Sequence, residues 1–138
     1  MKYPTSKWIF VAAVLGGLAV ACGAFGAHWL EDLLALINSE PLETEALQER
    51  HAWLETGVRY HMYHALALLV VGVLQTVDFR RKRNTAAICF LLGIVFFSLP
   101  LYALALTGIR VIGAVVVIGG ILFLIGWTWL ALSAIERR

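Results

Sequence analysis

Charge is scarce in this 138-residue chain: 14% of it is Asp, Glu, Lys or Arg, where soluble domains carry about 25%. That scarcity, with 61% hydrophobic residues and a mean hydropathy of +0.83, excludes a water-soluble globular fold. Cysteine is nearly absent, and the two present are poorly placed to pair. Cys22 lies ~14 residues from the inner end of its apolar run and Cys89 ~4, a depth difference of ~15 Å, whereas a bridge needs Cα atoms within ~7 Å. They are expected as free thiols packed like small apolar groups. Nucleophilic triads, phosphate-cradling glycine loops and paired catalytic carboxylates are missing. Gly23-Ala24-Phe25-Gly26 lacks the preceding strand that a nucleotide loop needs. The expectation is a non-enzyme without a cofactor.

What is present is long and apolar. Four runs reach the ~20 residues needed to cross ~30 Å of hydrocarbon: 8–27, 58–77, 85–106 and 111–134. They predict an all-α integral membrane protein, a four-transmembrane-helix bundle forming a single membrane domain over 1–138. Met1 to Cys22 imitates a signal peptide, with Lys2, Lys7, an apolar core and Leu18-Ala19-Val20-Ala21-Cys22. Ala19 stands where a lipoprotein site wants a larger aliphatic residue and the run continues past Cys22, so it reads as a retained first span.

Basic residues set the orientation, because short cytoplasmic loops retain Lys and Arg. Lys2, Lys7, Arg80, Arg81, Lys82, Arg83, Arg137 and Arg138 fall on one side, and Arg50, Arg59 and Arg110 on the other. Both termini are therefore expected in the cytoplasm, in a multi-pass arrangement. Seven of the nine acids lie between Glu31 and Glu55, on the outer side. The Arg80 to Arg83 cluster reads as a topology determinant beside the headgroups rather than a nucleic-acid patch. The bilayer, a second copy or another membrane protein are the expected partners, with no nucleic acid.

Between the first two runs, 29–57 is acidic and amphipathic. Leu30, Leu33, Leu34 and Ile37 keep helical spacing, Ser39-Glu40-Pro41 reads as a helix start, and Leu42, Ala46, Leu47, Trp53 and Leu54 continue an apolar face. Two short interfacial helices are expected. Ala12, Gly16, Ala19, Gly23, Gly26 and Ala27 leave one face of span one almost bare, a signal for close helix contact. In span two, His61, His64, Ala65, Leu68, Gly72 and Gln75 form a stripe that should face the interior. Pro100 should kink span three by freeing the Phe96 carbonyl. Trp127 and Trp129 read as inner-interface anchors matching Trp8.

Ionisable groups collect at the mouth of span two. By helical rise His61 and His64 sit ~5 and ~9 Å inside it, at the level where His28 closes span one. The candidate polar cluster is His28, Glu55, Arg59, Tyr63, His64, Ser98 and Tyr102, near Thr107. Three chemistries compete. His28, His61 and His64 are candidate ligands for a metal or haem, giving a redox protein. Imidazoles also serve proton relays and quinone-like ligand sites, giving an oligomeric transporter or proton-coupled channel through His64. The reading preferred here is structural: Glu55 and Arg59 pair at i, i+4, and His64 bonds Ser98 or the carbonyl freed by Pro100. Lipid or a small hydrophobic ligand suits the same region.

The segments Gly23-Ala24-Phe25-Gly26-Ala27-His28, Glu55 through Leu69, and Leu104-Ala105-Leu106-Thr107-Gly108 closely resemble the YgdD-like family of small inner-membrane proteins. This is a domain of unknown function with eukaryotic relatives called transmembrane protein 256. Ile118-Gly119-Gly120 and Gly126-Trp127 through Leu132 extend the resemblance over nearly the whole chain. It implies a bacterial inner (plasma) membrane location and carries no activity to transfer. His61 stands where such proteins usually have Gln, and Val116-Val117 replaces an expected Thr-Pro pair. His28, Glu55, Arg59, Tyr63 and His64 are the positions that match the family motif.

Overall fold

A computed structural model describes residues 6–38 and 40–135; Lys2, Ser39, Arg137 and Arg138 lie outside the described residues. The order is α1 (Lys7–His28), α2 (Leu30–Ile37), α3 (Thr44–Val77), α4 (Arg81–Thr107), a 3-10 turn (Arg110–Ile112) and α5 (Gly113–Ala134), with no strand among the described residues. α1, α3, α4 and α5 are each long and apolar enough to cross a membrane. Trp8 bonds Asn84 and Arg80 bonds the Ser133 carbonyl, so the starts of α1 and α4 and the ends of α3 and α5 share one end of the bundle. α2 lies at the other.

The expected pair of interfacial helices is corrected to one. α2 exists as a separate short helix and buries Leu30 and Leu34 against Leu54 of α3 and Ala105 of α4, while Ile37 stays exposed. The second helix is absent because 44–57 fuses with span two into a 34-residue helix. Thr44 to Thr56 contains no proline or glycine to stop it, and Gly57 continues because its bare Cα admits the Tyr102 ring and Leu101 of α4. The start at Ser39-Glu40-Pro41 is corrected as well: the helix begins at Thr44, after an extended stretch through Glu43. Pro100 sits inside α4, which remains helical through it.

α1 packs on α3, α3 on α4 and α4 on α5. The edges are therefore α1 and α5, where 17% of the most apolar window is buried, against 39% in α3 and 44% in α4. Close approach comes from glycine. Gly72 lets the α1 backbone at Trp8 and Ile9 lie directly on α3. Gly119 lets α5 touch the α4 backbone at Phe96 and Phe97, and the same pair interlocks reciprocally, Phe123 filling the space over Gly93 and Phe90 that over Gly126. Dispersion and steric fit drive such contacts in lipid, where apolar burial supplies little. On the bare face of α1, Ala12, Ala19 and Gly26 are buried and Gly23 meets Val58, but Gly16 faces open space and Ala27 is exposed.

The two kinds of glycine separate experimentally. A Cβ at Gly119 overlaps α4 backbone that cannot yield, so Gly119→Ala should cost about 1–3 kcal/mol. Gly16→Ala meets nothing and should stabilise by about 0.5–1 kcal/mol through helix propensity. Thermal unfolding of the two variants in one detergent, followed by circular dichroism, checks both signs.

Candidate functional site

Depth is set by α3. Arg50 meets the last turn of α4, and Val77 ends α3 at the opposite face. His64 lies fourteen residues from the first and thirteen from the second, ~20 Å each way by helical rise. It therefore occupies mid-depth, which corrects its expected place on the rim. The physical reason is the extension of α3: the helix enters well before Val58.

His64 is buried, at 5% exposure, and enclosed by rings. It stacks on Phe123 at 3.4 Å between centroids and 7° between planes, with Phe90, Trp127 and Tyr60 around it. Its Nδ1 lies 2.8 Å from the Tyr60 carbonyl, which only accepts, so Nδ1 carries the proton. Its Nε2 then accepts the indole N–H of Trp127 at 3.2 Å. Both nitrogens are engaged, and in one tautomer. The expected bond to Ser98 or to the carbonyl released by Pro100 is not made. Trp127 is likewise corrected from an inner-interface anchor to the level of His64, where its half-exposed indole donates to Nε2, while Trp8, in the first turn of α1, is buried and donates to Asn84. Beside this cage a groove of about 570 Å³ lies between α3 and α5, walled by Tyr60, Tyr63, Phe97, Phe123, Leu124 and Trp127.

A second polar node joins two helices. The Tyr102 hydroxyl on α4 lies 3.0 Å from His61 Nδ1 on α3. One turn deeper than the Gly57–Tyr102 contact, the antiparallel register sets His61 opposite Ser98. His61 Nε2 and Ser98 Oγ have no hydrogen-bond partner, although both residues are buried. Cys22 and Cys89 are both free.

The other expected members stand apart from these nodes. His28 is exposed and contacts Trp29 edge-on. Glu55 and Arg59 pair at 3.5 Å on the open face of α3, and Tyr63, also exposed, follows one turn later. The gathering of His28, His61 and His64 is thus corrected: one is outside, one bonds Tyr102 and one is caged. Among the described residues no three His, Cys, Asp or Glu side chains form a metal-holding group.

Further polar contacts lie outside the expected cluster. Arg50, 9% exposed, donates through one nitrogen to the Leu104 and Ala105 carbonyls at 3.2 and 3.0 Å. Its guanidinium lies against Gly108, whose φ of 71° reverses the chain after α4 and whose missing Cβ leaves the room. Next to it Glu49 holds Arg110 of the 3-10 turn at 2.9 Å, and His51 holds Glu31 of α2 at 3.2 Å. At the opposite end Asp78 receives Arg80 at 2.7 Å and Arg83. Those two hydrogen bonds hold the Asp78 carboxyl below the usual range. Arg83 also donates to the Leu74 and Asp78 carbonyls. A basic residue a few positions beyond a helix end was the available signal.

The family model described as a protein of unknown function (DUF423) matches residues 22–120. This chain belongs to that family. A UPF0382 membrane protein of Staphylococcus epidermidis is 40% identical to this DUF423 member, covering 94% of this chain and 95% of its own. The UPF0382 membrane protein YwdK of Bacillus subtilis is 38% identical over 94% and 96%. The UPF0382 inner membrane protein YgdD of Escherichia coli is 33% identical over 97% and 94%. No solved structure matches the chain. The DUF423 member is thus an integral membrane protein of a family without an assigned activity; His61, His64 and Tyr102 lie within the matched segment, whereas Phe123 and Trp127 lie beyond it.

Arg50→Ala removes a buried cation and strips two carbonyls of their donor, so unfolding should become easier by about 2–4 kcal/mol; a denaturant titration in mixed micelles reads this directly. Asp78 tests pH dependence. Its folded-state pKa is depressed, so its contribution is present above the unfolded value of ~4 and fades as pH falls through the lower folded value. The melting-temperature gap between the native chain and Asp78→Asn should therefore close on acidification below about pH 4 and stay constant between neutral pH and about pH 6.

Proposed function

We propose that the chain is a non-enzymatic structural or interaction module of the bacterial inner membrane, with both termini in the cytoplasm and lipid, further copies or another membrane protein as partners. One observation carries this reading. The mid-depth histidine uses both ring nitrogens to tie α3 to itself and to α5, so its hydrogen-bonding capacity goes into holding helices together. A proton relay needs an imidazole that takes up and releases a proton at a free lone pair. The His64 lone pair is occupied by the Trp127 N–H, and protonation there would set two N–H groups against each other. Haem or metal ligation needs the same lone pair. The polar groups at helix ends, Arg50 above all, are likewise spent on backbone carbonyls. Orientation is supported by Lys7 and the Arg80 to Arg83 cluster at the end that carries the start of α1 and the finish of α5.

Reconstituted vesicles loaded with a pH-sensitive dye give the test. The native chain should dissipate an imposed proton gradient no faster than empty vesicles, and His64→Leu should leave that rate unchanged. Trp127→Phe, which keeps the ring and removes the N–H, should lower detergent stability by about 1 kcal/mol. A proton flux that His64→Leu abolishes would overturn the reading in favour of transport.

A further inference from the structure

The Glu55–Arg59 pair lies on the open flank of a span. By helical rise from His64, Arg59 lies ~7.5 Å and Glu55 ~13.5 Å from mid-depth, within or at the edge of a ~15 Å hydrocarbon half-thickness. Both side chains are turned outward, at 52% and 74% exposure. A charged group on that flank is costly unless it reaches the headgroups or draws them in. Helical side chains lean toward the helix N-terminus, here the α2 end, so Arg59 reaches up past its own Cα. There it meets Glu55 at 3.5 Å, through one nitrogen. Among the described residues it has no other partner, which leaves most of the guanidinium fork unused.

Next to the pair lies a cavity of about 290 Å³ between α1 and α3. Gly23, Gly26 and Ala27 of α1 line one side of it; Leu54 and Val58 of α3 line the other, together with the ionisable side chains of His51 and Glu55. An acid and a base on adjacent turns, beside an apolar slot at the headgroup level, match one amphiphile. We propose that this face binds a zwitterionic glycerophospholipid of the ethanolamine class from the leaflet at the α2 end. Arg59 takes the phosphate through its unused N–H groups, Glu55 takes the ammonium, and the slot takes the upper part of an acyl chain. Phosphate suits the planar guanidinium fork. The carboxylate, set in an acidic outer segment, selects against a headgroup of net negative charge. The site goes beyond the scaffold reading and is separate from the His64 cage, so each can fail alone.

The test is native mass spectrometry of the full-length chain, delipidated in detergent and titrated with defined lipids. Phosphatidylethanolamine should be retained about tenfold better than phosphatidylglycerol. Arg59→Gln should reduce its retention about tenfold, Arg59→Lys less, and Glu55→Gln should abolish the preference between the two lipids. Melting temperatures measured alongside should stay near the native value, since both side chains are exposed. Equal retention of the two lipids by the native chain, or full retention by Arg59→Gln, overturns the proposal. Should Arg59→Gln not be recoverable, Glu55→Gln decides through the headgroup preference.

Discussion

The last carbonyls of each helix have no donor within their own helix, and the need to supply one at both ends of the bundle organises this molecule. Here three helix ends receive arginines. Arg50 of α3 serves the end of α4, Arg80 the end of α5, and Arg83 the end of α3 itself. A guanidinium suits the task because it always carries donors and never needs an acceptor. The same arginines cross from one helix to another, so satisfying a helix end also fixes which helices are neighbours. The long α3 follows from this: only a helix running past the membrane boundary can present Glu49 and Arg50 to the turn between α4 and α5.

Packing then needs little else. Between the clasped ends, contact is made by glycines that admit a neighbouring backbone or ring, as at Gly72, Gly93, Gly119 and Gly126. These contacts are short-range, and a slip of one residue would replace Gly72, Gly93 and Gly126 with a side chain. The clasps at the two ends hold the register that the glycines require. His64 adds a third tie at mid-depth, where its bond to Trp127 links α3 to α5 across the flank of α4. The result is a row of helices held at three levels, with α1 and α5 at its edges.

Much of this was legible in the chain. The four spans follow from hydropathy, and the interior stripe of span two from spacing: His61, His64, Ala65, Leu68 and Gly72 are all buried. The site was less legible, for a definite reason. Hydropathy rises at Val58, yet α3 is already helical and bonded to α4 at Arg50, since a helix rich in Glu, Gln and Arg continues as readily as an apolar one. Depth reckoned from Val58 therefore puts His64 at the rim, beside His28 and Ser98. Arg50 itself looked like one more polar residue of an acidic segment, because its value lies in a contact fifty-five positions away. Local pattern carries no trace of such a partner.

The polar residues sort by the face of α3 they occupy. Toward the neighbouring helices lie His61 and His64, whose rings bond a phenol, an indole and a backbone carbonyl. Toward the open flank lie Glu55 and Arg59, which carry formal charge. Desolvating an ion pair between helices costs several kcal/mol per ion even after relaxation, so charges belong where headgroups can be drawn to them. Neutral hydrogen-bonding groups belong where nothing can be drawn in. Positions 55, 59 and 64 thus divide between two faces of one helix: His64 bonds within the bundle, and Glu55 pairs with Arg59 on its outer surface. The two faces are coupled through geometry alone, since the tie between α3 and α5 fixes the rotation of α3 and with it the direction in which the ion pair points.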